Sequence, residues 1–247
     1  MIQEAIVLAA GWGERFKSSE HKLLAKIFGY HLIEYPMRSI ASAGLRRLLI
    51  VTNGLLLKKL EHIVREVEKD MGIEVDLVLN NEVSRGNAYS LALGLSIVRE
   101  GLALVTVADH VYPSTLVERL LKGYSRVSLG VGGDREPKHV EISEATLVEV
   151  GADGAIENIG KNLKSWSYVD TGLHIVSTDL LKYTGCCRYE GELASLYECF
   201  SRATRRSAVI DVTGSPWKDI DTWDDYISIT QGKNRVVAAF TIESWRK

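Results

Sequence analysis

The sequence is poor in cysteine: it has three in 247 residues, without a Cys-x-x-Cys pair or a nearby histidine cluster. This scarcity argues against a zinc site or a disulfide framework and predicts a reducing, cytoplasmic compartment. Neither sign of charge is in excess, because 30 basic and 32 acidic side chains give a net charge of −2. There is therefore no electrostatic case for nonspecific binding to nucleic acid or membrane. Apolar runs of the ~20 residues needed to span a bilayer are also lacking, as is a signal peptide.

The composition is that of a globular protein, with 46% hydrophobic and 25% charged residues. In the first half, strand and helix patterns alternate along the chain. Strands are predicted at residues 5–10, 47–52, 73–79 and 102–107, and helices at 31–43, 55–71 and 88–98. Such alternation predicts an α/β fold, a Rossmann-like open and mostly parallel sheet that is covered by helices.

The pattern changes in the second half. Antiparallel strands are predicted at 140–150, 155–159 and 168–176, followed by a helix at 192–203, a strand at 208–212 and a helix at 223–230. We therefore expect one domain over residues 1–232 with a β-rich, acceptor-binding insertion at about 132–206. The C-terminal extension, 233–247, is expected either to pack on the sheet or to form a subunit contact, such as that of a homodimer.

A glycine-rich loop follows the first predicted strand. Residues 8–15 read LAAGWGER, and Lys22 comes seven residues later. Glycines at such a position let backbone N–H groups approach phosphate oxygens, and Arg15 and Lys22 would add positive charge there. The loop lacks the third glycine of a dinucleotide site and the Gly-Lys-Ser/Thr of a P-loop. On these residues alone, a glycine-rich turn with solvated charges remains the alternative.

The motif Gly11-x-Gly13-x-Arg15 with Lys22 resembles the signature of the sugar-nucleotide pyrophosphorylase and cytidylyltransferase superfamily. Three further segments follow in the superfamily's order. Residues 81–91 (NEVSRGNAYSL) are similar to its base-recognition loop. Residues 107–110 (VADH) are similar to its metal-binding strand end, and residues 217–225 (WKDIDTWDD) to its second metal segment. The match spans about residues 5 to 230. It implies a magnesium-dependent nucleotidyltransferase.

The resemblance assigns roles to individual residues. It implies that Arg15 and Lys22 are catalytic and that Asp109 and Asp221 hold Mg2+, with Asp219 as a neighbour. Carboxylate oxygens suit this ion, and Asp109 follows a predicted strand, at the sheet edge where ligands collect in open α/β folds. Nucleotide contacts are expected at Leu8, Ala10, Gly11, Gly13, Asn81, Gly86 and Asn87. Because an amide both donates and accepts, Asn81 does not by itself select the base.

A finer resemblance concerns the substrates. Segments 109–112 (DHVY), 134–137 (DREP), 140–146 (VEISEAT), 159–161 (IGK) and 169–172 (VDTG) are similar to the archaeal and thermophilic CTP:inositol-1-phosphate cytidylyltransferases. This resemblance implies transfer of CMP from CTP to inositol-1-phosphate, giving CDP-inositol for di-myo-inositol phosphate, a compatible solute of heat-loving organisms. Many members are fused to a membrane synthase domain. This chain has no such segment, so a separate protein is expected to supply the second step.

The acceptor site is expected in the inserted half. Its predicted residues are Asp134, Lys161, Asp170, Thr171, Gly172 and Glu192. Two structural alternatives stay open: Lys161 as a solvated turn lysine, and Arg135 as an ion-pair partner of Asp134. Phosphocholine or a sugar-1-phosphate is the alternative acceptor, and a nucleotide-sensing subunit is the alternative outside catalysis.

Overall fold

The computed structural model describes residues 2–16, 18, 20–185 and 191–246. Thirteen strands lie within this part of the chain: β1 (Glu4–Ala9), β2 (Lys26–Ile27), β3 (Tyr30–His31), β4 (Arg47–Thr52), β5 (Glu74–Leu79), β6 (Leu102–Val107), β7 (His110–Val111), β8 (Leu129–Asp134), β9 (Leu147–Val150), β10 (Ile156–Gly160), β11 (Tyr168–Ser177), β12 (Ser207–Asp211) and β13 (Lys218–Asp219). Nine of them form one main sheet.

The parallel half of this sheet follows the order β6-β1-β4-β5. All residues of β1 and β4 are buried, which explains why their sequences are nearly continuous apolar runs rather than alternating patterns. The predicted mostly parallel, open α/β sheet is therefore confirmed. Because these strands run in the same direction, the loops after β1 and β6 leave the sheet at the same edge.

Seven helices are present in the described residues: α1 (Glu34–Ser42), α2 (Gly54–Met71), α3 (Asn87–Leu95), α4 (Ser114–Gly123), α5 (Leu193–Thr204), α6 (Trp223–Thr230) and α7 (Arg235–Ser244). Capping residues in the sequence set both ends of α2. The side chain of Asn53 accepts hydrogen bonds from the first backbone N–H groups of α2, and α2 ends at Gly72 in the left-handed conformation (φ 63°). The amide of Asn53 also donates to the Ala10 carbonyl (2.9 Å), which fixes the glycine-rich loop to this helix.

The second half of the chain completes the same sheet. β11 runs antiparallel to both β6 and β8, and β12 pairs in parallel with β8. The register of β11 shifts between Asp170 and His174, with Gly172 at φ 71°. This break carries Asp170 past the end of β6, to the edge at which the glycine-rich loop also lies.

One predicted strand is wrong over most of its length. Of residues 140–150, only Leu147–Val150 forms a strand, and 140–146 form turns. The alternation in VEISEAT suggested a half-buried strand, but Glu141 and Ile142 are both exposed. Alternating polarity predicts a strand only where a neighbouring strand satisfies the backbone. Among the described residues, no strand forms a ladder with this segment, and β11 reaches only its end, where the Asp170 N–H donates to the Thr146 carbonyl (2.8 Å).

The C-terminal extension folds as α7 and packs on helices rather than on the sheet. Trp245 donates to the Ser39 hydroxyl of α1 (2.8 Å), and its ring meets that of Tyr35 edge to face at 5.3 Å. Ser244 accepts from the backbone of Ser114, at the start of α4 (3.0 Å). Across residues 2–16, 18, 20–185 and 191–246, no helix combines the length and the apolar character that crossing a membrane requires.

The argument against a disulfide framework needs correction at Cys199, which lies in α5 and is disulfide-bonded. Cys186 and Cys187, the other two cysteines, lie outside the described residues. Spacing along the chain does not reveal which thiols approach each other in space. The argument from cysteine usage to a reducing compartment therefore no longer applies.

Candidate active site

A cavity of about 580 Å3 opens at the C-terminal edge of β1 and β6. Most of the residues predicted to bind nucleotide, phosphate or metal line it, namely Leu8, Ala10, Gly11, Gly13, Arg15, Lys22, Gly86, Asn87, Asp109 and Asp221. They come from four separate segments of the chain. The sheet thus brings together the motifs that the sequence had shown only in order.

Lys22 joins the early loop to both aspartates. Its Nζ lies 2.6 Å from Asp109 Oδ2 and 2.9 Å from Asp221 Oδ1. Arg15 reaches the other oxygen of Asp221, at 2.8 Å. The two aspartates meet because β13 pairs with β7, so that Ile220 donates its N–H to the Asp109 carbonyl (3.0 Å).

His110 contacts the remaining oxygen of this carboxylate pair. Its Nδ1 lies 3.0 Å from Asp109 Oδ1, and its ring stacks on Trp217 with ring centroids 6.0 Å apart. A side chain at Gly172 would come within 2.8 Å of His110 Nε2, so glycine is required there. All four carboxylate oxygens of Asp109 and Asp221 therefore have a cationic or imidazole partner. A metal ion that binds both aspartates must take the place of at least one of these contacts.

The charges in the cluster hold one another in the ionised form. Burial is the largest influence on Asp109 and would raise its pKa, but Lys22 and His110 outweigh it, so the pKa lies well below its ordinary value. Burial would likewise lower the pKa of Lys22, but Asp109 and Asp221 outweigh burial and raise it. Asp219 differs, since burial together with the two nearby carboxylates raises its pKa.

His21 is a site residue that the motif analysis missed. Its Nδ1 accepts a hydrogen bond from the Leu23 N–H (3.2 Å), so Nε2 carries the proton that is donated to the Gly11 carbonyl (3.0 Å). Burial, with help from the charges of Lys22 and Lys59, lowers the pKa of His21 and favours this neutral form. His21 thus fixes the glycine-rich loop against the short 3-10 helix that carries Lys22. Its position next to Lys22 was the only signal in the sequence.

The predicted base-recognition loop differs from expectation by one residue. Asn81 is exposed and does not line the cavity, so its contact with the base stays a prediction. The buried amide is that of Asn80, which donates to Ser90 Oγ (2.9 Å) and accepts from the Glu82 N–H (2.7 Å). Ser90 itself lines the cavity. A sequence motif does not distinguish two adjacent asparagines, whereas the structure distinguishes them by their burial.

A short strap, residues 191–193, crosses this loop. The Gly191 carbonyl accepts from the Ala88 N–H (3.0 Å), and the Asn87 side chain accepts from the Leu193 N–H (2.7 Å). Asn87 therefore caps α5 from the start of α3. Gly86, at φ 84°, lies so close to Gly191 that a Cβ would collide with the Gly191 backbone.

Replacing Gly86 with alanine should therefore displace the strap. We expect unfolding to become easier by about 1–3 kcal/mol, because the left-handed backbone is strained for alanine and the contact must open. The KM for the nucleotide should rise about tenfold, since the same loop lines its cavity. Urea unfolding and steady-state kinetics check both. Gly154→Ala, at φ 83° but with nothing within 4 Å of its Cβ, is the control, and equal effects in both variants would contradict the role of the strap.

A second cavity, of about 1040 Å3, adjoins the first. The predicted acceptor residues Lys161, Asp170, Gly172 and Glu192 line it, and both cavities share Arg15, Asn87, Val107, Asp109, Glu192 and Asp221. A group bound in one cavity therefore lies next to a group bound in the other.

Two predicted acceptor residues do not reach this cavity. Asp134 is 2% exposed, and its carboxylate accepts from Trp217 Nε1 (2.9 Å) and the Glu136 N–H (3.0 Å). Thr171 is fully buried and donates to the Gly132 carbonyl (2.9 Å). Their predicted contacts with the acceptor are corrected, because strand alternation turns Thr171 away from its neighbours Asp170 and Gly172.

The ion pair considered for Asp134 is also absent from the described residues. Arg135 instead pairs with Asp211 (3.1 Å) and lies over the Tyr168 ring, 4.5 Å from its centroid. Asp134 thus serves as a buried acceptor for Trp217, whose ring stacks on that of His110.

Known proteins resemble the chain over nearly its whole length. Two curated relatives are described as a bifunctional IPC transferase and DIPP synthase. The relative from Thermococcus kodakarensis is 33% identical over 222 residues, which cover 89% of this chain and 48% of the relative. The relative from Archaeoglobus fulgidus is 31% identical over 224 residues, which cover 91% of this chain and 42% of the relative. The chain thus spans about half the length of the curated relatives it matches. Among solved structures, an inositol-1-phosphate CTP transferase from T. maritima has the same fold, with a TM-score of 0.82, 24% identity, and coverage of 100% of this chain and 97% of that one.

A family model, described as the MobA-like NTP transferase domain, matches residues 5–148. That range runs from β1 to β9 and includes the glycine-rich loop, Lys22 and Asp109. With the motifs assembled around one cavity and more than half of the chain matched, the chain belongs to the MobA-like NTP transferase domain family of nucleotidyltransferases.

Proposed function

We propose that the chain transfers CMP from CTP to L-myo-inositol-1-phosphate, giving CDP-inositol and pyrophosphate. The observation that carries the proposal is the position of Lys22, whose Nζ contacts both Asp109 (2.6 Å) and Asp221 (2.9 Å) in the wall shared by two adjoining cavities. The names of the two curated relatives support these substrates for a chain of this family.

The reaction needs little covalent help from the protein. The phosphate of the acceptor is already largely dianionic at neutral pH, since its second pKa is about 6, so no general base is required. Its oxygen attacks the α-phosphorus of CTP in line, a P–O bond forms, and the bond to pyrophosphate breaks. Arg15 and Lys22 offset the charge on the reacting phosphates, and the two cavities hold the reactants side by side.

The proposal includes a magnesium ion at Asp109 and Asp221. The two carboxylates, which suit Mg2+, support the fit, and the ion would compete for them with the Lys22 ammonium. Within the part of the chain that the structure describes, no group of three or more His, Cys, Asp or Glu side chains could hold a metal. Two carboxylates suit Mg2+, which completes its shell with water and substrate phosphates. When bound, the ion would neutralise charge on the triphosphate.

Removal of divalent metal tests this part of the proposal. We expect EDTA to abolish pyrophosphate release and excess Mg2+ to restore it, because Arg15 and Lys22 alone do not offset the charge of a triphosphate that lies beside two carboxylates. The measurement is turnover at fixed CTP and acceptor, with Ca2+ added in a parallel sample as the control for ionic strength. Full turnover in EDTA would rule out the metal.

The walls of the second cavity favour a polyol over a choline-like cation. Its aromatic residues are committed to packing, since Tyr197 is 0% and Trp217 4% exposed, and neither can offer a ring face to a quaternary ammonium. Asp170 and Glu192 can instead accept hydrogen bonds from hydroxyl groups, and Lys161 can bind a phosphate. CDP-inositol would then be the substrate of a DIPP synthase, the second activity named in the relatives.

Pyrophosphate release, measured for each of four NTPs with inositol-1-phosphate, phosphocholine and glucose-1-phosphate, tests the substrates. We expect CTP with inositol-1-phosphate to give the highest kcat/KM. Faster turnover of another pair would replace the proposed substrates but keep the enzyme class. No turnover with any pair, together with tight CTP binding, would favour a nucleotide-sensing subunit.

A further inference from the structure

A buried chain of hydrogen bonds runs from α5 to the second cavity, the one proposed to bind the acceptor. Tyr197 Oη lies 3.3 Å from His174 Nδ1, and His174 Nε2 lies 2.9 Å from Asp170 Oδ1 and 3.1 Å from its Oδ2. Tyr197 is 0% and His174 2% exposed, and both lie, with Asp170, in the wall of the second cavity. The phosphoryl chemistry described above uses neither the tyrosine nor the histidine. Burying polar side chains costs free energy unless they hydrogen-bond to one another, so the arrangement calls for an explanation.

The protons of this chain can be assigned from its geometry. Burial and the charge of Asp170 raise the pKa of Tyr197 well above its ordinary value, so the phenol is neutral and has one proton to donate. Among the described residues, His174 is the only hydrogen-bond partner of that hydroxyl. The phenol therefore donates to Nδ1, and His174 keeps its own proton on Nε2, from which it donates to Asp170.

These donors fix the carboxylate of Asp170 in one orientation. Oδ1 accepts from His174 and also from the Gly172 N–H, at 2.8 Å. Within the described part of the chain, Oδ2 has only the longer of the two contacts with His174, so it retains lone pairs for another donor. The register break of β11 explains this geometry, because Gly172 at φ 71° turns its N–H back toward Asp170.

We propose that His174 and Tyr197 are positioning residues for the acceptor: they orient Asp170 so that its Oδ2 accepts a hydrogen bond from an acceptor hydroxyl. The inference rests on the proposed function and adds to it. Asp170 and Lys161 line the same cavity, so a phosphorylated polyol would place its phosphate at the lysine and a hydroxyl at the aspartate. An acceptor without a hydroxyl at the matching position leaves this oriented carboxylate unpaired, which disfavours its binding.

Kinetics of Tyr197→Phe test the positioning role. The variant removes one hydroxyl and frees His174 to exchange tautomers, so we expect the KM for the acceptor to rise about tenfold, while the KM for CTP stays within about twofold. The matched control is Tyr35→Phe, because Tyr35 is equally buried and its hydroxyl donates to the Ile27 carbonyl (2.7 Å), away from both cavities. Equal changes in the acceptor KM of the two variants would overturn the inference.

A second pair of variants separates hydrogen bonding from packing. His174→Gln keeps an N–H donor near the position of Nε2, whereas His174→Leu removes it at similar volume. We expect the glutamine variant to keep an acceptor KM nearer to that of the unmodified protein. In 15N NMR of labelled histidine, His174 of the free protein should show one protonated and one unprotonated ring nitrogen, and Tyr197→Phe should disturb this pattern.

The outcomes distinguish this inference from the proposed function. Normal turnover of CTP and inositol-1-phosphate with an unchanged acceptor KM in folded Tyr197→Phe and His174→Leu would overturn the positioning role and leave the function intact. A doubly protonated His174 in the free protein would overturn the proton assignment. If another phosphorylated acceptor turns over instead, its KM replaces that of inositol-1-phosphate in the same comparison. Loss of all turnover in the unmodified protein would remove both proposals.

Discussion

Asp109→Asn is expected to lower kcat by about 10³-fold. The substitution keeps the size of the side chain but removes the charge that pairs with Lys22 at 2.6 Å and with His110 at 3.0 Å. It also removes one of two carboxylates proposed to hold the metal. Because this chemistry depends on offsetting charge rather than on a protein nucleophile, the loss falls on the reaction step more than on CTP binding.

Pyrophosphate release gives kcat for Asp109→Asn, and calorimetry of CTP binding gives the affinity. The control is Asp70→Asn, since Asp70 is half exposed, pairs with Arg38 of α1 and lines neither cavity. Wild-type kcat in Asp109→Asn would remove both the metal assignment and the role of the carboxylate.

Lys22→Met is expected to lower kcat by about 10²-fold or more, which is close to the loss seen when one hydrogen-bond donor that stabilises a transition state is removed. Lys22 is the cation between Asp109 and Asp221, so its loss also leaves two neighbouring carboxylates to repel each other. In the free protein the variant should therefore bind Mn2+ more tightly, because the metal no longer competes with an ammonium group.

The two expectations for Lys22→Met have separate measurements, steady-state turnover and titration with Mn2+ followed by EPR. Lys58→Met, on an exposed position of α2, controls for the loss of a positive charge. Weaker Mn2+ binding together with unchanged turnover would show that Lys22 stabilises the aspartates without serving the phosphates.

Elements whose signals are local were predictable from the sequence. The strand 47–52 and the helix 223–230 were predicted with the bounds that the structure has. The first is a nearly continuous apolar run, and the second begins at a Thr222 capping box in the structure. The glycine-rich loop, Lys22 and the two aspartates were also recognisable, since they match short motifs of the nucleotidyltransferase superfamily, and the loop and Asp109 follow predicted strands. A parallel sheet then brings such ends together without further information.

Features that depend on packing across the chain were not predictable. Whether Asn80 or Asn81 is buried depends on Ser90, and whether Asp134 faces a ligand depends on Trp217, 83 residues later. The strap at Gly191 and the loop support from His21 involve backbone groups that no side-chain motif records. The residues 140–146 alternate like a strand, but pairing partners are a property of the whole sheet.

The wall that both cavities share has a consequence for the end of the catalytic cycle. A nucleotide-linked product would occupy both cavities at once. It would make the contacts of both cavities but lose the translational entropy of only one molecule. It should therefore inhibit more strongly than CMP or the free polyol phosphate alone. Under saturating substrates, release of that product would then limit the rate, so raised solvent viscosity, rather than heavy-oxygen substitution in the bond to pyrophosphate, would slow the steady state.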